Sequence, residues 1–204
     1  MTSSSLLRAA LAALLLATMP AAAGDSYQTH CAQCHGAEAK GNEVLGAPNL
    51  SLLSGQYIKG QLQGFKEGWR SSDDSYTQSM IAAIAPLDAP TLASATTAIA
   101  ALPDSSAAAP SAQAGNEARG KDLYTAYCGA CHGTNAVGND ALGAPNLLGL
   151  SGDHLKRQYL HFAEGRRGAH PDDRYGQQMA RLSKALKDPQ LIDDVTAYVV
   201  SLAE

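Results

Sequence analysis

The sequence is poor in large aromatics: one tryptophan, two phenylalanines and eight tyrosines in 204 residues. A core built on bulky ring anchors is therefore excluded. Positive charge is not in excess either, since 15 Lys and Arg stand against 19 Asp and Glu, for a formal net charge of −4. That leaves no basic face to track a phosphate backbone, and nucleic-acid binding is set aside. No stretch alternates apolar and polar residues as a half-buried strand does. After the first two dozen residues no run approaches the roughly 20 apolar residues needed to span a bilayer. Apolar residues nonetheless make up 45% and charged residues only 17%, a balance that argues against disorder. The apolar share is inflated by alanine, which favours small helices over sheets.

Residues 1–23 read as an address. Arg8 is the only charge before Asp25, Ala9 to Met19 is a Leu/Ala-rich run, and Ala21-Ala22-Ala23 offers a small-residue cleavage site before Gly24. This is the layout of a secretory signal peptide, and it predicts an exported chain cleaved near Ala23.

The rest of the chain is a tandem repeat. Residues 28–68 match 125–165 at a constant offset of 97, which places Cys31, Cys34 and His35 on Cys128, Cys131 and His132. Gly46-Ala47-Pro48-Asn49-Leu50 falls on Gly143-Ala144-Pro145-Asn146-Leu147. After Arg70 and Arg167 the offset becomes 99, implying a two-residue insertion in the second copy, and Met80 then meets Met179. Two copies of this size predict domains at 24–103 and 117–204, not a solenoid. The small, polar, proline-bracketed residues 104–116 are expected to run extended as a linker. Each copy reads as three or more helices with long loops. A first helix leads into the cysteines, and a middle helix covers roughly 55–67 and 152–164. A last helix is opened by Asp88 and Pro90 in one copy and by Asp188 and Pro189 in the other.

All four cysteines lie in two Cys-x-x-Cys-His motifs, the attachment signature of c-type haem. Two thiols at this spacing add across the haem vinyl groups, and the next residue, His35 or His132, becomes an axial iron ligand. Disulfides, a thioredoxin-like dithiol and zinc are the competing uses of paired cysteines. None of them requires the histidine that follows both pairs. Two covalently bound haems c are therefore expected, on Cys31 and Cys34 and on Cys128 and Cys131.

Of four methionines, Met1 and Met19 fall in the signal peptide, leaving Met80 and Met179 at equivalent places in the repeat. That pairing points to thioether ligation of both irons, against core packing as the plain alternative. His30, His154, His161 and His170 have no histidine partner in the other copy and are expected to be solvated surface residues. His/Met coordination leaves no open position for oxygen, peroxide or substrate, which argues for electron transfer and against an enzyme. Pro48 and Pro145, 13 residues after each ligand histidine, are placed to offer a backbone carbonyl to its second ring nitrogen. Asn49 and Asn146 are placed to brace the same loop. Trp69, Arg70, Tyr76, Arg166, Arg167 and Tyr175 are candidates to meet the haem propionates or line the path between haems.

With these motifs, Phe-x-x-Gly, and a late Met before a C-terminal helix, each copy resembles a class I cytochrome c domain. The tandem behind a signal peptide resembles dihaem cytochrome c4. The resemblance implies an all-α fold of two domains about a pseudo-twofold axis, with haems near the interface. It also implies a periplasmic protein, soluble or peripherally membrane-associated, passing electrons between redox partners towards a terminal oxidase. A similar build serves as the dihaem electron-accepting subunit of a dehydrogenase complex, such as the partner of a sulfide-oxidising flavoprotein. A dihaem peroxidase or thiosulfate-oxidising cytochrome is the enzymatic alternative. Gly120 and Tyr124 resemble the family's small-plus-aromatic pair that meets the last helix near Tyr198. The first copy has Ala23, Tyr27 and Ile99 there, and a chain starting at Gly24 places that contact at a frayed terminus.

Overall fold

The computed structural model describes residues 24–103 and 114–203, so the signal peptide and residues 104–113 of the linker lie outside the described residues. The first half holds α1 (Gly24–His30), α2 (Ala32–His35), α3 (Gly55–Lys66), α4 (Ser75–Ile84) and α5 (Ala89–Ala100). The second repeats the order as α6 (Glu117–Tyr127), α7 (Gly129–His132), α8 (Gly152–Ala163), α9 (Arg174–Leu182) and α10 (Pro189–Ser201). Among the described residues β-structure is limited to two isolated bridges, Asn42 with Ala47 and Asn139 with Ala144, at equivalent points of the repeat. The fold is all-α.

Capping side chains set the helix starts, and they recur in both halves. Ser54 accepts from the Tyr57 N–H and Ser151 from that of His154, opening α3 and α8. Asp74 and Asp173 do the same for α4 and α9. Asp88 and Asp188, each with a proline in the first turn, open α5 and α10. Each such cap is worth about 1 kcal/mol.

In both halves the first helix crosses the last. Gly120 makes the second crossing possible, because a Cβ there would lie 2.0 Å from the Asp194 carbonyl oxygen. The Tyr124 and Tyr198 rings then meet at 5.5 Å. In the first half Tyr27 is buried against α5 beside Ile99, and the Ser26 hydroxyl donates to Ser94 Oγ at 3.1 Å. The Tyr27 side chain is held at both ends, since its hydroxyl also donates to the Gly36 carbonyl at 2.6 Å.

The halves face one another through α3 and α8. Arg70 donates to Gln61 Oε1 at 3.0 Å and to Gln158 Oε1 at 2.9 Å. Arg167 donates to the same two oxygens, each at 2.7 Å. Arg70 and Gln61 are the repeat equivalents of Arg167 and Gln158, so the contact is reciprocal, as a pseudo-twofold relation requires. Around it, Ser54 donates to Asp140 at 2.6 Å, Arg166 pairs with Asp73, and the Trp69 and His170 rings stack at 5.1 Å. The two-residue insertion of the second copy is thus used to carry His170 onto Trp69. Among the described residues no helix is long and apolar enough to cross a membrane.

Candidate functional site

Each cysteine motif is a single helical turn set at the end of the first helix. The Cys31 N–H donates to the Tyr27 carbonyl at 2.9 Å, and the His35 N–H to the Cys31 carbonyl at 3.0 Å. The second motif repeats this, Cys128 to Tyr124 at 2.8 Å and His132 to Cys128 at 3.0 Å. This geometry leaves Cys31 and Cys128 half-buried and Cys34 and Cys131 exposed. His35 and His132 point inward and are 6% and 8% exposed.

Both imidazoles are fixed by the loop that follows. His35 Nδ1 lies 2.9 Å from the Pro48 carbonyl oxygen and His132 Nδ1 lies 3.0 Å from that of Pro145. A carbonyl only accepts, so Nδ1 carries the proton and Nε2 keeps its lone pair. Burial lowers the pKa of both rings against the opposing pull of the carbonyls, which keeps them neutral. In the same loop Asn49 Oδ1 accepts from the Ser51 N–H at 2.9 Å, and Asn146 Oδ1 from the Leu148 N–H at 2.8 Å. Gly46, at φ 62°, lets the loop pass under the Tyr76 ring, where a Cβ would sit 2.3 Å from a ring carbon. Gly143 and Tyr175 repeat that contact.

In the first half these groups face a cleft lined by Cys31, Cys34, His35 and Met80, with Leu50 and Ile58 on its apolar wall. Met80 is the sixth residue of α4, and Met179 is the sixth of α9. Both are half-buried. The far side of the cleft is closed by His154, Arg157 and Arg167 from the other half.

The site suits a flat, largely apolar group with an acidic edge. Apolar walls meet its faces, two thiols and a neutral histidine stand at one side, and cations stand at the domain boundary. Among the described residues the buried Nε–H groups of Arg70, Arg157 and Arg167 have no acceptor, and haem propionates are carboxylates of the kind they lack. The rival readings of the cysteines fare worse. A redox dithiol needs a lowered thiol pKa, whereas burial raises Cys31 and pushes Cys128 to about 12. Among the described residues no three His, Cys, Asp or Glu side chains are grouped to hold a metal ion.

The unmatched histidines are not all solvated. His161 is 5% exposed, with Nε2 3.3 Å from Asp74 Oδ2 across the boundary. His154 lines the first cleft, and its Nδ1 lies 3.2 Å from Arg157 Nη2. His170 stacks on Trp69. Their surroundings come from the opposite half, which spacing within one copy does not reveal. Gln61 and Gln158 escaped the sequence reading, although they obey the offset of 97. Arg157 has no side-chain counterpart, because Gly60 occupies its place in the first copy.

A family profile described as Cytochrome c matches residues 117–203. The chain is 30% identical to the thiosulfate dehydrogenase electron acceptor of Stutzerimonas stutzeri, over 96% of this chain and 94% of that one. It is 35% identical over 130 residues to the Cbb3-type cytochrome c oxidase subunit FixP of Rhizobium meliloti, a stretch covering 62% of this chain and 43% of FixP. Among solved structures, a thiosulfate dehydrogenase from Marichromatium purpuratum superposes with a TM-score of 0.66 and 29% identity. That match covers 84% of this chain and only 36% of the other, so this chain spans about a third of that protein. The reduced cytochrome c4 of Pseudomonas stutzeri matches in fold, with a TM-score of 0.66 at 22% identity, over 87% of this chain and 95% of that one.

Proposed function

The chain belongs to the dihaem cytochrome c4 family, electron-transfer proteins that carry covalent haem c in tandem class I domains, and on that footing we propose that it is a periplasmic relay taking electrons from a dehydrogenase and passing them towards a terminal oxidase. The proposed domains are 24–103 and 117–204, with 104–116 as linker and 1–23 removed on export.

When bound, haem supplies a one-electron ferric–ferrous couple in each domain. Cys31 and Cys34, and Cys128 and Cys131, hold it by thioether bonds. His35 and His132 present Nε2 to the iron, each oriented by its proline carbonyl. Met80 and Met179 would each supply a thioether sulfur to the iron of their own domain. A histidine and a methionine ligand on each iron would leave no position for a substrate, and the reading is therefore a carrier rather than an enzyme. The observation that carries the proposal is the doubled histidine–carbonyl bond, His35 to Pro48 and His132 to Pro145. It fixes the tautomer in both halves and leaves the Nε2 lone pair of each ring available to coordinate.

The test is a spectroscopic redox titration of the purified holoprotein. Two reversible one-electron steps are expected, with the red-edge band of methionine–iron bonding present at two equivalents when oxidised. A haem that lacks the band, or binds added ligands, would overturn the proposal.

The near-full-length match to a thiosulfate dehydrogenase electron acceptor favours a narrower reading, in which the donor is a dehydrogenase of inorganic sulfur compounds. Reduction of the holoprotein by such an enzyme at rates far above those with unrelated dehydrogenases checks it.

A further inference from the structure

The pseudo-twofold is broken at several charged positions, and among these Arg157 is the buried cation that reaches a cleft. Arg157, on α8, reaches across the boundary into the first domain's cleft, where it lines the same wall system as Cys31, His35 and Met80. Its Nη2 donates to the Gly46 carbonyl at 3.2 Å, and its guanidinium carbon lies 4.5 Å from the centre of the Tyr76 ring. Its Nε–H is buried without an acceptor.

The equivalent residue on α3 is Gly60, and a Cβ added there would meet nothing within 4 Å. Room for a side chain exists on that side, and none fills it. The other buried cations, Arg70 and Arg167, also line this cleft, but they are the repeat equivalents of one another and bond reciprocally across the boundary. The neighbouring His154 adds no charge, since burial and the nearby Arg157 keep it neutral.

We infer that Arg157 is a positioning charge that biases the shared electron towards the first domain, by raising the reduction potential of that domain's haem above what the symmetric frame would give. The inference rests on the relay reading above. A ferrous site carries one positive charge fewer than a ferric one, so a fixed nearby cation stabilises the reduced form. In a partly buried boundary its field is weakly screened, and a single unit charge moves such an equilibrium by about a factor of ten. The consequence is a downhill internal direction, from the second domain to the first, set by one side chain.

The experiment is redox titration of the full-length holoprotein followed by NMR. The two sets of methionine methyl signals distinguish the haems, and loss of one set in Met80→His assigns them. Arg157→Gln is expected to lower the first-domain potential and leave the second unchanged. It should shift the ratio of the two singly reduced forms about tenfold (~59 mV for one electron) towards the second domain. Arg157→Lys, which keeps the charge but loses the planar fork, stays near the wild type. Gly60→Arg raises the second-domain potential. Equal shifts on both haems, no shift, or the same loss in Arg157→Lys as in Arg157→Gln overturns the inference. A wild-type haem without methionine ligation or a reversible couple instead sinks the relay reading, and that is read before any substitution is made.

Discussion

Arg70 and Arg167 stand side by side at the domain boundary, each hydrogen-bonded to the glutamine of its own copy and to that of the other. Each guanidinium also lies over a phenylalanine of its own copy, Arg70 over Phe65 at 4.0 Å and Arg167 over Phe162 at 4.2 Å. Burial lowers the pKa of Arg70, and the neighbouring Arg167 lowers it further. Two like charges share the boundary, and neither has a carboxylate among its hydrogen-bond partners here. Such an arrangement is costly alone. Carboxylates such as haem propionates facing the pair would offset that cost.

The first prediction follows from that sharing. Arg70→Ala removes donors to both Gln61 and Gln158, and bonds made by a charged group are worth about 1.5–3 kcal/mol each. In the holoprotein a double-mutant cycle of Arg70→Ala with Gln158→Ala is expected to give a coupling of about 0.5–3 kcal/mol, read by chemical unfolding. A coupling of zero would mean that the cross-boundary bond contributes nothing to docking.

Much of this fold was legible because its determinants are local. Asp88 and Asp188 announce the last helix of each copy through bonds to N–H groups two or three residues away, whereas the caps Ser54 and Asp74, and with Asp74 the helices α4 and α9, escaped the sequence reading. The offsets of 97 and, after Arg70, 99 carried assignments from one copy to the other. Pro48 and Pro145 were legible because the distance from the histidine is set within one loop. The boundary was not legible. His161 finds Asp74, and His170 finds Trp69, only when two copies are docked, and nothing within a copy specifies that orientation. The Arg157–Gly60 asymmetry reads as an ordinary surface difference until Gly46 and Tyr76 of the other half are seen beside it.

The methionines give a test that separates the haems. Met80→Ala should remove half of the red-edge absorption of the oxidised protein, and Met179→Ala the other half, with the double variant losing all of it. Each single variant should also open its own iron to added imidazole while the other domain stays closed. Loss of the full band in either single variant would mean that only one iron is methionine-bound.

Gly120 carries a packing prediction. In Gly120→Ala the new methyl meets the Asp194 backbone, 2.0 Å away, with the Tyr198 Cβ at 3.0 Å. Backbone cannot swing aside as a flexible side chain does, so α6 and α10 must separate. A loss of about 1–3 kcal/mol is expected, observed as a lower unfolding midpoint. Gly60→Ala is the control, since its Cβ enters open space. It should be neutral or slightly stabilising, because alanine is the better helix former. Equal effects at the two positions would show that the crossing is not tightly packed.

Acid should weaken the boundary in two stages, through two groups that face each other. His161 is held below its ordinary value of 6.5 by burial first, with Arg167, Arg166 and Arg70 adding to the shift and Asp74 opposing it. A depressed imidazole binds its proton more readily in the unfolded chain, so stability falls as the pH drops below about 6.5. Burial alone would raise Asp74, but hydrogen bonds from Thr77 and Ser72, and the nearby His161, outweigh it and hold the carboxyl at about 2 against an ordinary 3.8. Its contribution is therefore complete above about pH 4 and lost as the pH falls towards 2. Unfolding free energy of the holoprotein, measured from pH 7.5 to 2.5, should decline through both windows. His161→Gln should flatten the upper decline and leave the lower one. Asp74→Asn should flatten the lower one, while keeping part of the α4 cap because asparagine also accepts from the helix N–H groups. Stability that rises between pH 6.5 and 5 would show instead that the Asp74 carboxylate, 3.3 Å away, dominates burial and that His161 is charged in the docked protein.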